Sequence, residues 1–332
     1  MSMTTISDEM CPVPGPAHRS VLRDAATIAG AVLGAVALAN ALIAAHTPPV
    51  QSALPGDFGR FPVRYGDVAY AVAGDGPPLL LLHGIGAGNS MLEWEHNFSA
   101  LRERHTVYAL DFLGWGASDR PEHRYTAADC IEQICSFVEN VIGEPCAVVA
   151  SSDSCAYAVE AASRRPDLVS RLVLVCPSLA ETGLSPVELR GSAIERALRL
   201  PIIGTAVYNA LTSRRAIRRF AEHHLYFNKA RVDEALVTRY HVGAHQRGAR
   251  SALASFLSAA LRHDARPAWS RLSQPALLVW GRNALINPLD TAPEWLALKP
   301  DARLEVIERA MLLPHVERPQ QWNEAVLSWL SV

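Results

Sequence analysis

From residue 68 onward, short apolar runs alternate with amphipathic stretches. The runs at residues 68–72, 79–82, 107–110, 147–150, 172–175, 276–280 and 304–307 are bounded by turn-forming residues and read as strands. Between Tyr125 and Gly143, the apolar residues Ile131, Ile134, Cys135, Val138 and Val141 recur at helical spacing, which predicts a crossover helix with one buried stripe. Such alternation gives an α/β chain: a mostly parallel sheet with helices on both faces. The strand rhythm stops at about residues 182–265, where only helix-like segments occur. That stretch reads as a helical cap over the carboxyl edge of the sheet, where open α/β sheets place their ligands.

Ahead of this domain lies an N-terminal apolar helix, residues 25–45, Ala-rich and interrupted only by Thr27, Asn40 and two glycines. A helix needs about 20 such residues to cross the hydrocarbon layer. Residues 1–24 form a tail, residues 46–62 are rich in Pro and Gly and read as a linker, and residues 63–332 make up the domain. Three readings of the apolar stretch stay open, in this order: a membrane anchor, a signal peptide with Ala37-Leu38-Ala39 near its cleavage site, and a helix packed on the domain. Arg19 and Arg23 precede it, so an anchor would leave the main domain extracytoplasmic, and cleavage would leave it secreted.

Composition narrows the partners. With 332 residues, 49% hydrophobic and 19% charged, the chain can bury the core of one large domain. A net charge of −2 gives no reason to expect nucleic acid, which leaves small molecules and membranes. Cys11, Cys130, Cys135, Cys146, Cys155 and Cys176 include no CxxC pair, so neither a disulfide framework nor a metal site is expected, and no cofactor motif is present. Arg214, Arg215, Arg218 and Arg219 form a basic cluster in the cap, either a solvated face or a contact for anionic lipid.

Two loops carry the clearest motif: Leu82-His83-Gly84-Ile85-Gly86, and Asp111-Phe112-Leu113-Gly114-Trp115-Gly116-Ala117-Ser118-Asp119. Together with Ala150-Ser151-Ser152-Asp153-Ser154 after one strand, Trp280-Gly281 ending another and Glu317-Arg318-Pro319 opening the last helix, they resemble the α/β-hydrolase superfamily across residues 63–330. The resemblance puts Ser152 at the nucleophile position of a tight strand-to-helix turn. It also makes the backbone N–H groups of Ile85 and Asp153 oxyanion donors, and sets His83, Gly84 and Trp115 around the substrate cleft.

A serine hydroxyl needs a base, usually a histidine oriented by a carboxylate. The family's acid falls four residues after Trp280 and four before Pro288, at Ala284; its histidine falls five residues before Glu317, at Leu312. Neither side chain can move a proton, so the triad reads as degenerate. His315 lies three residues past the vacant position and is a poor substitute unless the loop is rebuilt. In the cap, His241 and His245 share a helix face without a third ligand, and the adjacent His223 and His224 face apart. Asp153 has two readings: a carboxylate in the site, repelling charge that develops nearby, or an outward acid at a helix start. The sequence therefore points first to a non-hydrolytic enzyme, performing elimination, cyclisation or isomerisation on a small hydrophobic molecule. The alternatives are a serine hydrolase using Ser152 with His315 or a cap histidine, and a non-catalytic membrane-anchored binding protein.

Overall fold

The computed structural model describes residues 16–50, 54–178 and 195–331, the side chains of residues 16–26 and 29 excepted. Eight strands form one sheet in the order β1-β2-β4-β3-β5-β6-β7-β8. They are β1 (Asp57–Val63), β2 (Gly66–Ala73), β3 (Pro78–Leu82), β4 (Thr106–Leu110), β5 (Cys146–Ser151), β6 (Val169–Val175), β7 (Ala276–Gly281) and β8 (Arg303–Ile307). β2 runs antiparallel to both β1 and β4, and every pairing from β4 through β8 is parallel.

The central strands are apolar on both faces, as parallel strands covered on both sides must be. Alternate residues enter opposite halves of the core. Leu80, Leu82, Val148, Ala150, Leu172, Leu174 and Leu278 face one cluster, while Leu79, Leu81, Val149, Val173, Val175 and Val279 face the other. The first cluster is covered by α2 (Ala127–Phe137) and α3 (Ser154–Arg164). In α2, Thr126 and Asp129 close a capping box, and one further turn ends at Gly143, whose φ of 78° suits a residue without Cβ.

The stretch read as a linker contains β1. Its alternation is masked because it is an edge strand, open to water along much of its length and carrying Pro62, which a central strand would not accept. Between β6 and β7 the regular elements among the described residues are all helices, including α4 (Ile203–Leu211), α5 (Arg214–Phe220), α6 (Glu234–Ala244) and α7 (Ala249–Leu257).

The N-terminal helix α1 (Pro16–His46) is longer than the apolar stretch that announces it. Among the described residues no helix is long and apolar enough to cross a membrane, so the spanning reading gains no support. Instead α1 meets the cap: Asn40 Nδ2 donates to Ile202 O at 2.9 Å, and Asn209 Nδ2 donates to Asn40 Oδ1 at 2.9 Å. Asn40, one of the two polar interruptions, thus ties the helix to the cap.

Candidate active site

The turn between β5 and α3 places Ser152 at φ 54°, a left-handed conformation that a residue with a Cβ adopts only when its surroundings enforce it. Two devices enforce it here. Ser152 N donates to Val175 O at 2.9 Å, and the Ser154 hydroxyl bridges back, accepting from Ser151 N at 3.1 Å and donating to Ser151 O at 2.7 Å. Ser154 stands where the family motif has its second glycine, and its hydroxyl fastens the turn that glycine would only permit.

Ser152 is nearly buried, and its Oγ accepts from Asn287 Nδ2 at 3.4 Å. The orientation of that amide is determined by its other bond. Asn287 Nδ2 lies 2.9 Å from Cys176 O, and a carbonyl oxygen can only accept, so the NH2 end faces both partners. The hydroxyl proton of Ser152 is therefore left to donate outward. Among the described residues, no histidine and no carboxylate hydrogen-bonds Ser152. Asn287 itself is held at φ 53°, where its carbonyl accepts from Trp280 Nε1 at 2.8 Å.

The backbone N–H groups of Ile85 and Asp153 have no acceptor among the described residues. The loop carrying Ile85 is braced from behind. Gly84 N donates to Glu93 Oε2 at 3.0 Å, and Trp115 Nε1 donates to Gly86 O at 2.8 Å. His83 Nε2 accepts from Phe112 N at 3.2 Å, which puts its ring proton on Nδ1, facing Gly84 O at 2.7 Å. His83 and Trp115 are both buried, and Trp115 lines a small cavity with Gly86, Gly88 and Tyr208. The cap closes over the same loop, with Gly88 so close to Tyr240 O that an added Cβ would stand 2.1 Å from it.

Ala284 and Leu312 follow β7 and β8, are buried, and join Ile85 and Trp115 in one apolar cluster. Glu317 secures the loop holding Leu312: Oε1 accepts from Met311 N at 2.7 Å, and Oε2 accepts from Asn228 N of the cap at 3.0 Å.

His315 makes no hydrogen bond to Ser152 among those of the described residues. It is fully buried, its ring lies against Trp94 with centroids 4.4 Å apart, and its Nε2 stands 3.2 Å from Glu93 Oε1. Burial pushes the Glu93 carboxyl up, but His315 close to it, with Ser151 adding to the effect, brings it below the ordinary value. Glu93 escapes notice in the sequence, although a lone acid inside the apolar run Met91-Leu92-Glu93-Trp94 is a signal that it needs a buried partner. Asn287 escapes as well, because only ionisable residues are sought near Ala284.

Asp153 makes no capping bond to α3. Its half-buried carboxyl is raised above the usual carboxylate range, mainly by burial, with a hydrogen bond from Ser178 and the charge of Arg262 opposing the shift. The cap histidines are engaged elsewhere. His245 Nε2 lies 3.3 Å from Thr212 Oγ1, and His241 Nδ1 lies 3.2 Å from Thr212 O, while His223 Nδ1 bonds Arg219 O. His224 stacks near Phe220. Among the described residues no group of three or more His, Cys, Asp or Glu side chains is placed to hold a metal.

The elbow, the braced loop with free N–H groups and the strand order define a class, and the comparisons with known proteins agree. The chain belongs to the alpha/beta hydrolase family, whose model matches residues 79–325. Among curated proteins it is 27% identical over 270 residues to an uncharacterised protein of Mycobacterium tuberculosis, covering 78% of this chain and 76% of that one. It is 27% identical over 274 residues to a 2-hydroxy-6-oxo-6-(2'-aminophenyl)hexa-2,4-dienoic acid hydrolase of Metapseudomonas resinovorans, covering 80% and 88%. Among solved structures, a 2-hydroxy-6-oxo-6-phenylhexa-2,4-dienoate hydrolase from Rhodococcus superposes with a TM-score of 0.69 at 22% identity, over 84% of this chain and all of that one. At that identity the likeness speaks for the fold.

Proposed function

We propose that this protein is a non-hydrolytic enzyme that binds the carbonyl oxygen of a small hydrophobic molecule in the former hydrolase cleft and moves a proton next to it, in an elimination, cyclisation or isomerisation. One observation carries the reading. The hydroxyl of Ser152 accepts from an amide, Asn287, where a serine nucleophile would donate to a base. An amide has no basic site to take up the proton. What remains at the elbow is three donors, the Ser152 hydroxyl and the N–H groups of Ile85 and Asp153, which together suit an oxygen that gains negative charge as an adjacent C–H is deprotonated.

Asp153 supplies the acid–base group in this reading. A carboxyl raised by burial sits closer to the working pH than an exposed one, which favours it both as donor and as acceptor. The apolar residues Ala284 and Leu312 keep water and charge from the reacting centre. The hydrolase names of the relatives favour a second reading, in which Ser152 attacks through a rearranged base.

Incubation of the protein in deuterated water with a panel of small apolar ketones, enones and esters, followed by NMR, separates the two. Deuterium entering beside the carbonyl, without cleavage and abolished in Asp153→Asn, is the expected outcome. Ester or carbon–carbon cleavage that disappears in Ser152→Ala would overturn the proposal in favour of the hydrolase.

A further inference from the structure

The N-terminal segment is fastened to the cap at one end and to the core at the other. On the cap side, Asn40 of α1 exchanges hydrogen bonds with Ile202 and Asn209. Two residues past the end of α1, the carbonyl of Pro48 accepts from Gln246 Nε2 at 2.7 Å, just beyond α6. On the core side, Leu54 is buried in one apolar cluster with Ala69 and Ala71 of β2, and β1 follows, paired with β2 along its whole length. This segment lies ahead of the family match, which begins at residue 79.

Between the two fastenings the chain passes the seam where cap meets core. Pro49 and Val50 line a cavity of about 150 Å³ with Gly88, Ser90 and Gly116 of the core and Val242 of α6. At this seam the two parts touch backbone to backbone: a Cβ added to Gly243 of α6 would stand 2.8 Å from Gly88 O. Gly88 is three residues from Ile85, in the loop that offers the free N–H groups. A cap that admits ligands does so by parting from the core, and a segment held on both sides of the seam resists the parting. The cap-side fastening is the weaker one. It consists of three neutral hydrogen bonds of modest net strength, whereas the core side has a strand ladder and a buried leucine.

We propose that residues 40–50 are a strap that holds the cap shut over the loop carrying Ile85, and that entry to the cleft requires the strap to leave α4 and Gln246. The strap governs access and not chemistry, so it acts in the same way whichever reaction Ser152 or Asp153 serves.

Thiol labelling of Ser90→Cys in the full chain tests this. Ser90 is buried on the core wall of the cavity, and the substitution exchanges one atom, so label reaches it only when the seam parts. Adding Asn40→Ala with Gln246→Ala removes the three cap-side hydrogen bonds and should speed labelling at position 90 roughly 30-fold. Cys146 and Cys176, buried in the core, should stay unlabelled in the same chains, as peptide mapping will show. Val242→Cys, on the cap wall of the same cavity, is the second probe and should respond alike, also if Ser90→Cys fails to fold. Equal labelling rates with and without the three bonds overturn the proposal. So does label entering Cys146 and Cys176 as fast as the probe, because the chain is then unfolding as a whole. Either result leaves the reaction assigned to the cleft untouched.

Discussion

Replacing Glu93 tests whether the buried pair with His315 braces the site. The carboxylate accepts from Gly84 N at 3.0 Å and Asn89 Nδ2 at 3.2 Å, and lies 3.2 Å from His315 Nε2, with both side chains of the pair excluded from water. Hydrogen bonds to a charged group contribute about 1.5–3 kcal/mol each, and removing the carboxylate also leaves the buried Gly84 N–H without its acceptor. Glu93→Ala should therefore destabilise by about 3–5 kcal/mol. Glu93→Gln, which keeps one acceptor for the Gly84 N–H but loses the charge, should cost about 2 kcal/mol. Urea unfolding of both, of His315→Phe and of Glu93→Gln with His315→Phe gives the coupling, expected at about 1 kcal/mol or more. The pH dependence has a definite sign. Glu93 titrates in the folded chain below its ordinary value of 4.5, so its contribution is complete above that pH and is lost as the pH falls through the lower folded value. Glu93→Gln should flatten this acid limb. Additive single-variant costs, or a Glu93→Ala loss under about 1 kcal/mol, would refute the pairing.

Other consequences follow from the same structure. Asp153 has a carboxyl raised by burial, so it destabilises the fold increasingly as pH rises from the unfolded value through the folded one; Asp153→Asn should raise the thermal midpoint at neutral pH and leave it little changed in acid. Ser152→Gly should stabilise by about 1 kcal/mol, because glycine accepts φ 54° without the Cβ penalty; a lower urea midpoint would show that the turn is not strained. Burial pushes the Cys146 and Cys176 thiols up to about 12, so peptide mapping after iodoacetamide at neutral pH should find both unmodified in the native chain and both alkylated in urea.

Much of the fold is legible in the sequence because buried parallel strands declare themselves as uninterrupted apolar runs, and the runs from residue 68 onward each sit inside a strand. β1 is hidden because an edge strand need not alternate and tolerates Pro62. At the site, the motif of the elbow is enough to place Ser152, whose left-handed backbone is a consequence of the turn. The surroundings are less legible, since they depend on which distant side chain fills each space. The pairing of Glu93 with His315 and the reach of Asn287 to Ser152 join residues more than 100 positions apart. The burial of His83 and Trp115 depends likewise on tertiary packing that motif spacing does not encode. The charged cluster of α5 is visible as a run of arginines, but which of them remain unpaired is decided by Glu234 in the next helix.

The most direct test of the central claim concerns the chemical state of Ser152. Labelling of the folded native chain with a serine-directed fluorophosphonate, read beside Ser152→Ala and beside Ala284→Asp with Leu312→His, measures activation of the hydroxyl alone. With Asn287 donating to Oγ and no histidine or carboxylate hydrogen-bonded to it among the described residues, the native chain should remain as unlabelled as Ser152→Ala, and the double variant should gain label. Labelling of the native chain that Ser152→Ala abolishes would contradict the claim and make Ser152 a working nucleophile.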